Sequence, residues 1–354
     1  MQRLVFYGKG GIGKSTVSAN VSAVLAGRGK RVLHVGCDPK HDSTVSLMRG
    51  EMIPTVVDHG RTNVVTPGDI VRTSPVGVDC VEAGGPQAGV GCAGRGITYT
   101  LELMERAGLL DARRYDVAVF DLLGDVVCGG FAAPLRHGIG EKVIIVTSEE
   151  VMSLYAANNV ARAVLNYASN GIVCAGLLLN LRDDSQDEGP VTRFTELLST
   201  EVLGVLRREP LIREAEYART TVVEHAPDAP ITAQLNGLVD AILAVEPRDC
   251  RLPTPLSDQD FYALARDRFA VPQDWPKDWI TSHQAGSNAP ATPPRTLDAH
   301  RLKTTGGSRA VFQRELRAAV TAVRQGLILP AVALERLQQS FPELTQTLQL
   351  EDLR

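Results

Sequence analysis

A glycine-rich segment that begins at the eighth residue limits what this chain can fold into more than any other feature. Leu4-Val5-Phe6-Tyr7 is a short apolar run of strand character, and Gly8-Lys9-Gly10-Gly11-Ile12-Gly13-Lys14-Ser15 follows it directly. Glycine, four residues, then Gly-Lys-Ser is the spacing of a phosphate-binding loop. Its glycines let backbone amides curl around phosphate oxygens, Lys14 is placed to reach the β and γ phosphates, and the Ser15 hydroxyl is placed to help hold magnesium. Thr16 opens the helix whose N-terminus completes the anion site. The chain is therefore expected to bind MgATP through Gly8 to Thr16.

Apolar strand-like runs alternate with helical segments for most of the remaining length: Arg31 to Gly36, Asp116 to Asp121, Lys142 to Thr147 and Val173 to Asn180. Strand, helix, strand in that order predicts an α/β fold, a doubly wound and mostly parallel sheet of the P-loop NTPase type with helices on both faces. Ligands in this class collect beyond the carboxyl ends of the strands, where the glycine-rich segments after Tyr7, Val35 and Asp121 fall. This domain is expected over residues 1–270. Pro272, Trp275, Pro276 and Trp279 then lead into a polar stretch, read as a flexible linker over 271–308. Phe312, Leu316, Ala319, Val320 and Val323 recur at helical spacing, Pro330 interrupts, and Val332, Leu334 and Leu337 resume, which predicts a small helical extension over 309–354.

Among its 354 residues, a hydrophobic share of 44% and a charged share of 22% provide for a sizeable core. A formal charge of -4 supplies no basic field, so neither nucleic acid nor a membrane is expected as partner. Met1-Gln2-Arg3 runs straight into the first strand without a signal-peptide pattern, and no apolar stretch reaches the ~20 residues of a membrane span. A cytoplasmic location is expected. The six cysteines, several of them in glycine-rich loops, then read as reduced thiols or metal ligands rather than as a disulfide framework.

Two segments place carboxylates at strand ends, next to the expected γ-phosphate. Gly36-Cys37-Asp38-Pro39-Lys40-His41-Asp42-Ser43-Thr44 follows one strand, and Asp121-Leu122-Leu123-Gly124-Asp125-Val126-Val127-Cys128 closes another and continues past it. Asp121 stands where an acid would hold magnesium, and Asp38 or Asp42 is placed to orient the attacking water. Asp125 lies three residues before Cys128, which ties the nucleotide site to a thiol. The plainer alternative is that these acids form turns.

Cys92 lies in Gly89-Val90-Gly91-Cys92-Ala93-Gly94-Arg95-Gly96, and Cys128 precedes Gly129-Gly130. Thiolates ligate iron, and glycines let backbone N–H groups approach cluster sulfurs. A 4Fe-4S cluster normally takes four thiolates, so two per chain would require a symmetric dimer with the cluster on its two-fold axis. Two structural cysteines is the alternative reading. Cys37, Cys80, Cys174 and Cys250 are isolated and read as buried or incidental thiols.

The strings GKGGIGKST, VGCDPKHDST, EAGGPQAGVGCAGRG and DLLGDVVCGGFAAPLR together resemble the iron protein family: nitrogenase iron protein and the ATP-binding subunits of dark-operative protochlorophyllide and chlorophyllide reductases. The likeness runs, more weakly, to about residue 270. It implies that Cys92 and Cys128 are the cluster ligands, and that Lys9, Lys14, Ser15, Asp38, Asp42, Asp121 and Asp125 serve the nucleotide. Lys9 resembles the second lysine of deviant P-loop ATPases, which reaches the partner's nucleotide across a dimer interface; a solvated turn lysine is the alternative. Arg95 matches an exposed arginine near the cluster that is ADP-ribosylated in some members, and Asn180 matches a base-recognising position.

CAGRG and Tyr155-Ala156-Ala157-Asn158-Asn159 look like nitrogenase iron protein, whereas His41 and Pro54-Thr55-Val56-Val57-Asp58 look like the protochlorophyllide enzyme. Arg207 to Arg213 departs from the pattern, where proline and glutamine are usual.

The function implied is an ATP-dependent reductase: a homodimer sharing one 4Fe-4S cluster, fed by ferredoxin or flavodoxin and passing electrons to a nitrogenase-like catalytic heterotetramer. That acceptor could equally belong to a pigment reductase or a methylthio-alkane reductase. A cluster-free dimerising ATPase of the partitioning or positioning kind, and a cluster-assembly scaffold, are the readings from other classes.

Overall fold

The computed structural model of the chain describes residues 1–38, 40–60, 66–85, 93–122, 124, 132–136, 139–182 and 188–271. The expected linker, apart from Val271, and the expected C-terminal extension lie outside these residues. So do Cys92, Asp125, Cys128 and the side chain of Arg95.

Strands β1 (Gln2–Tyr7), β2 (Val32–Gly36), β3 (Arg72–Thr73), β4 (Val78–Glu82), β5 (Val117–Asp121), β6 (Lys142–Thr147), β7 (Val173–Asn180) and β8 (Val202–Leu206) form one sheet. Their spatial order is β3-β4-β2-β5-β1-β6-β7-β8. All neighbours are parallel except β3 and β4. The doubly wound α/β class read from the sequence is the observed one, and all five expected strands are present. Three more, β3, β4 and β8, extend the sheet at its two edges.

Both faces of the sheet are covered, so the central strands are mostly apolar. Successive residues of β1 point to opposite sides. Leu4 and Phe6 enter a core with Val17, Val21 and Val24 of helix α1 (Lys14–Gly27) and Leu235 and Leu238 of the helix Pro230–Ala244. Val5 and Tyr7 enter the opposite core with Leu154, Val160 and Val164 of the helix Val151–Tyr167. Small residues such as Ala19, Ser22 and Ala23 let α1 lie close to the sheet, and the residues from Val17 to Leu25 are all buried.

The described part ends on the helix Asp258–Arg266, capped by Ser257, whose Oγ accepts from the Asp260 N–H at 3.1 Å. Phe261 anchors it, fully buried and edge-on to Tyr155 with ring centroids 5.2 Å apart. Asn158 fixes the approach by bonding both backbone groups of Leu256, each at 2.8 Å. No helix among the described residues is long and apolar enough to cross a membrane.

Candidate functional site

The carboxyl ends of β1, β2, β4 and β5 converge on one edge of the sheet. The loop from Gly8 to Gly13 leaves β1 there and turns into α1. Gly11 (φ 74°) and Gly13 (φ 91°) adopt left-handed conformations that favour glycine. A Cβ on Gly8 would strike the Val146 carbonyl, and one on Gly13 would strike the Asn180 amide. Gly13 caps α1 without a side chain, and the first turn of α1 carries no acid. Its N–H groups and the positive end of its dipole therefore suit an anion.

Lys14 is buried, and its Nζ pairs with the Asp121 carboxylate and lies 3.2 Å from the Ser15 hydroxyl. Asp121 closes β5 and is wholly buried. Burial would raise its carboxyl, but the adjoining Lys14 ammonium and the hydroxyls of Ser15 and Ser43 outweigh this and hold it below the usual carboxylate range. A hydroxyl and a carboxylate beside a phosphate loop are hard oxygen donors of the kind magnesium takes. The expected magnesium pair, Ser15 and Asp121, is thus brought together with Lys14.

The segment after β2 approaches the same carboxylate. Ser43 donates its hydroxyl proton to Asp121 Oδ2 at 2.5 Å, and His34 Nε2 lies 2.9 Å from Ser43 Oγ. On the other side of that ring, Nδ1 lies 2.8 Å from the Ser22 hydroxyl of α1. His34 has the same parity as Val32 in β2, which directs it to the α1 face. Asp38 is buried and accepts the Lys40 N–H at 2.9 Å, the geometry of a turn-forming aspartate. Asp42 is exposed and borders a cavity of about 250 Å³ together with Ser15, Thr16, Ser43, Ile212 and Glu216. Glu216 accepts the Thr16 hydroxyl at 3.0 Å. Lys9 is half-buried.

Glu82 ends β4 and is fully buried. Its Oε1 accepts both the backbone N–H (2.8 Å) and the hydroxyl (2.9 Å) of Thr44. Its Oε2, packed against Gly36, has no partner among the described residues. Burial pushes this carboxyl up to about 8. On the far side of β1, the Asn180 amide donates to the Ile12 carbonyl at 2.7 Å, and the Arg182 guanidinium donates to that of Gly11. Asn180, expected at the base, steadies the phosphate loop. Behind the loop, a Cβ on Gly124 would overlap the Gly8 carbonyl, so Gly124 itself lies directly against the backbone of Gly8 and Lys9.

His34, Ser43, Glu82, Arg182 and Glu216 are residues of the site that the sequence motifs do not mark. A histidine inside an otherwise apolar strand is a signal for the first, since a ring buried there needs partners. Cys37, Cys80 and Cys174 are buried as expected, and Cys250 is partly exposed.

A mostly parallel sheet with a glycine loop running from its central strand into a helix, and a buried acid on the neighbouring strand, defines an α/β protein of the P-loop ATPase class. The chain belongs to the family described as 4Fe-4S iron sulfur cluster binding proteins, NifH/frxC family, whose model matches residues 2–270. It is similar to the nitrogenase iron protein of Methanospirillum hungatei JF-1, 45% identical over 273 residues that cover 75% of this chain and 95% of that protein. The nitrogenase iron protein of Methanococcus voltae is 43% identical over 263 residues, 73% of this chain and 94% of that one. Among solved structures, the cell division ATPase MinD of Pyrococcus furiosus superposes with a TM-score of 0.56 at 24% identity, covering 70% of this chain and all of MinD. That likeness concerns the fold alone.

Proposed function

We propose that the chain is the ATP-hydrolysing reductase component of a nitrogenase-like system. It would act as a homodimer that couples MgATP hydrolysis to electron transfer toward a separate catalytic partner. The observation that carries this reading is the meeting at Asp121 of the phosphate-loop lysine and the segment after β2, in a member of a cluster-binding family.

Lys14 and the amides opening α1 bind and neutralise phosphate, Ser15 and Asp121 hold its magnesium, and Asp38 or Asp42 orients water for attack on the γ-phosphate. Lys9 reaches the nucleotide of the second subunit. Asp125 relays a change at the phosphate to the segment bearing Cys128, beginning where Gly124 touches the loop. Cys92 and Cys128 of two subunits would hold one 4Fe-4S cluster, which supplies low-potential one-electron chemistry when bound. Arg95, on the helix Ala93–Arg106 that starts just after Cys92, would meet the catalytic partner and offer a modification site. A nitrogenase-like heterotetramer is the acceptor, and ferredoxin or flavodoxin the donor.

Anaerobic purification tests the reading. The dimer should be brown, with about four irons. A folded, iron-free protein after anaerobic reconstitution would overturn it. If the Cys92→Ala/Cys128→Ala protein kept ATPase activity and dimerisation, and the wild type showed no redox signal, the chain would be a partitioning-type ATPase instead. Trapping with ADP-aluminium fluoride in native extract should co-purify the catalytic partner.

A further inference from the structure

The buried chain Ser22, His34, Ser43, Asp121 has a direction that follows from proton counting. Ser43 has a single hydroxyl proton, and the Asp121 carboxylate, which has none to give, takes it at 2.5 Å. Ser43 Oγ must then accept from His34, so the imidazole proton is on Nε2. A neutral ring so protonated has a bare Nδ1, which accepts the Ser22 hydroxyl proton. The ring is neutral because burial pushes His34 down to about 4, overriding the nearby Asp121 charge. Ser22, His34 and Asp121 are wholly buried and Ser43 nearly so, so water does not compete for these bonds.

Ser43 belongs to the segment carrying Asp38 and Asp42, whereas His34 belongs to the strand beneath it. The ring therefore fastens that segment to the sheet and aims the Ser43 proton at the acid that also faces Lys14. We propose that His34 is a positioning residue for the ATPase site, acting through the Ser43 hydroxyl to set the orientation of Asp121. This rests on the ATPase reading above. The His34 ring bonds to Ser22 and Ser43 and not to Lys14 or Ser15, so its effect belongs in turnover rather than in nucleotide affinity.

Three substitutions separate this role from packing. A glutamine amide reaches about as far as Nε2 and can donate to Ser43, an asparagine amide reaches only as far as Nδ1, and leucine donates nothing. His34→Gln should keep kcat within about threefold of wild type, whereas His34→Asn and His34→Leu should lose about tenfold or more, each with KM for ATP changed by less than about twofold. Equal losses in all three, losses that follow melting temperature across the series, or a loss confined to KM would overturn the proposal.

A second measurement needs no variant to fold. In 15N-histidine spectra of the full chain, which has seven histidines, His34 should show the neutral Nε2–H form near pH 7. An Nδ1–H form or an imidazolium would overturn the proposal. A wild type in the Nε2–H form that hydrolyses no ATP would overturn the ATPase reading and the positioning role with it. An active wild type whose three variants lose turnover equally would overturn only the role of His34.

Discussion

Asp121 and Lys14 are each other's counter-charge, the acid wholly buried and the lysine nearly so. Removing one member of such a pair costs about 3–5 kcal/mol, because the other is left buried and charged. Lys14→Met is therefore expected to abolish ATP hydrolysis and also to lower stability by about that amount in urea unfolding, with Lys14→Met/Asp121→Asn recovering much of the stability and none of the activity. A single variant as stable as wild type would show that the pair contributes nothing. Glu82 gives a prediction of opposite sign to the usual carboxylate. Burial pushes it up to about 8, the bonds from Thr44 oppose this, and the charges of Asp121 and Asp42 add to it. The folded chain then keeps a proton that the unfolded chain releases above an ordinary carboxylate pKa, so this contribution to stability is full in acid and falls as pH rises toward 8. Relative to Glu82→Gln, wild type should lose about 2–4 kcal/mol between about pH 5 and about pH 8. Melting curves at each pH decide it, and parallel pH profiles would count against a protonated Glu82.

Between elements, the tightest approach at the site is that of Gly124 to the Gly8 carbonyl. Gly124→Ala must push residue 124 off the phosphate loop, at an overpacking cost of about 1–3 kcal/mol. Affinity for a fluorescent ADP analogue is expected to fall about tenfold or more, and unchanged affinity would mean that the two segments move freely. Phe261 makes the opposite case, an anchor remote from the site. Phe261→Ala should cost about 3–5 kcal/mol and free the helix Asp258–Arg266 for proteolysis, while binding of the same analogue is retained. How much of this the sequence reveals depends on the element. β1, β2, β5, β6 and β7 are legible because strands buried on both faces are nearly unbroken apolar runs. β4 is hidden by Asp79 and Glu82, and β8 by Gly204 and its exposed Val202, as befits strands toward a sheet edge. The phosphate loop, with Lys14 and Ser15, is legible because its chemistry is local in sequence. The links from Ser22 to His34, from Ser43 to Asp121 and from Thr44 to Glu82 join residues 12, 78 and 38 positions apart, and no spacing rule announces them.

At the scale of the molecule, the family model ends at residue 270, close to where the described helices end. Truncation at about residue 275 should therefore leave ATP hydrolysis and iron content intact, measured per folded chain, and loss of either would give the extension a role in the core domain. The strand order has a consequence of its own. β2, β4 and β5 lie on one side of β1, and β6, β7 and β8 on the other. The segments holding Ser43, Glu82 and Gly124 all leave from the first flank, while Asn180 and Arg182 grip the loop from the second. On the function proposed above, the central strand would then work as a watershed: the bank that meets Asp121 is the one placed to answer to the phosphate, while the other keeps its hold on the loop.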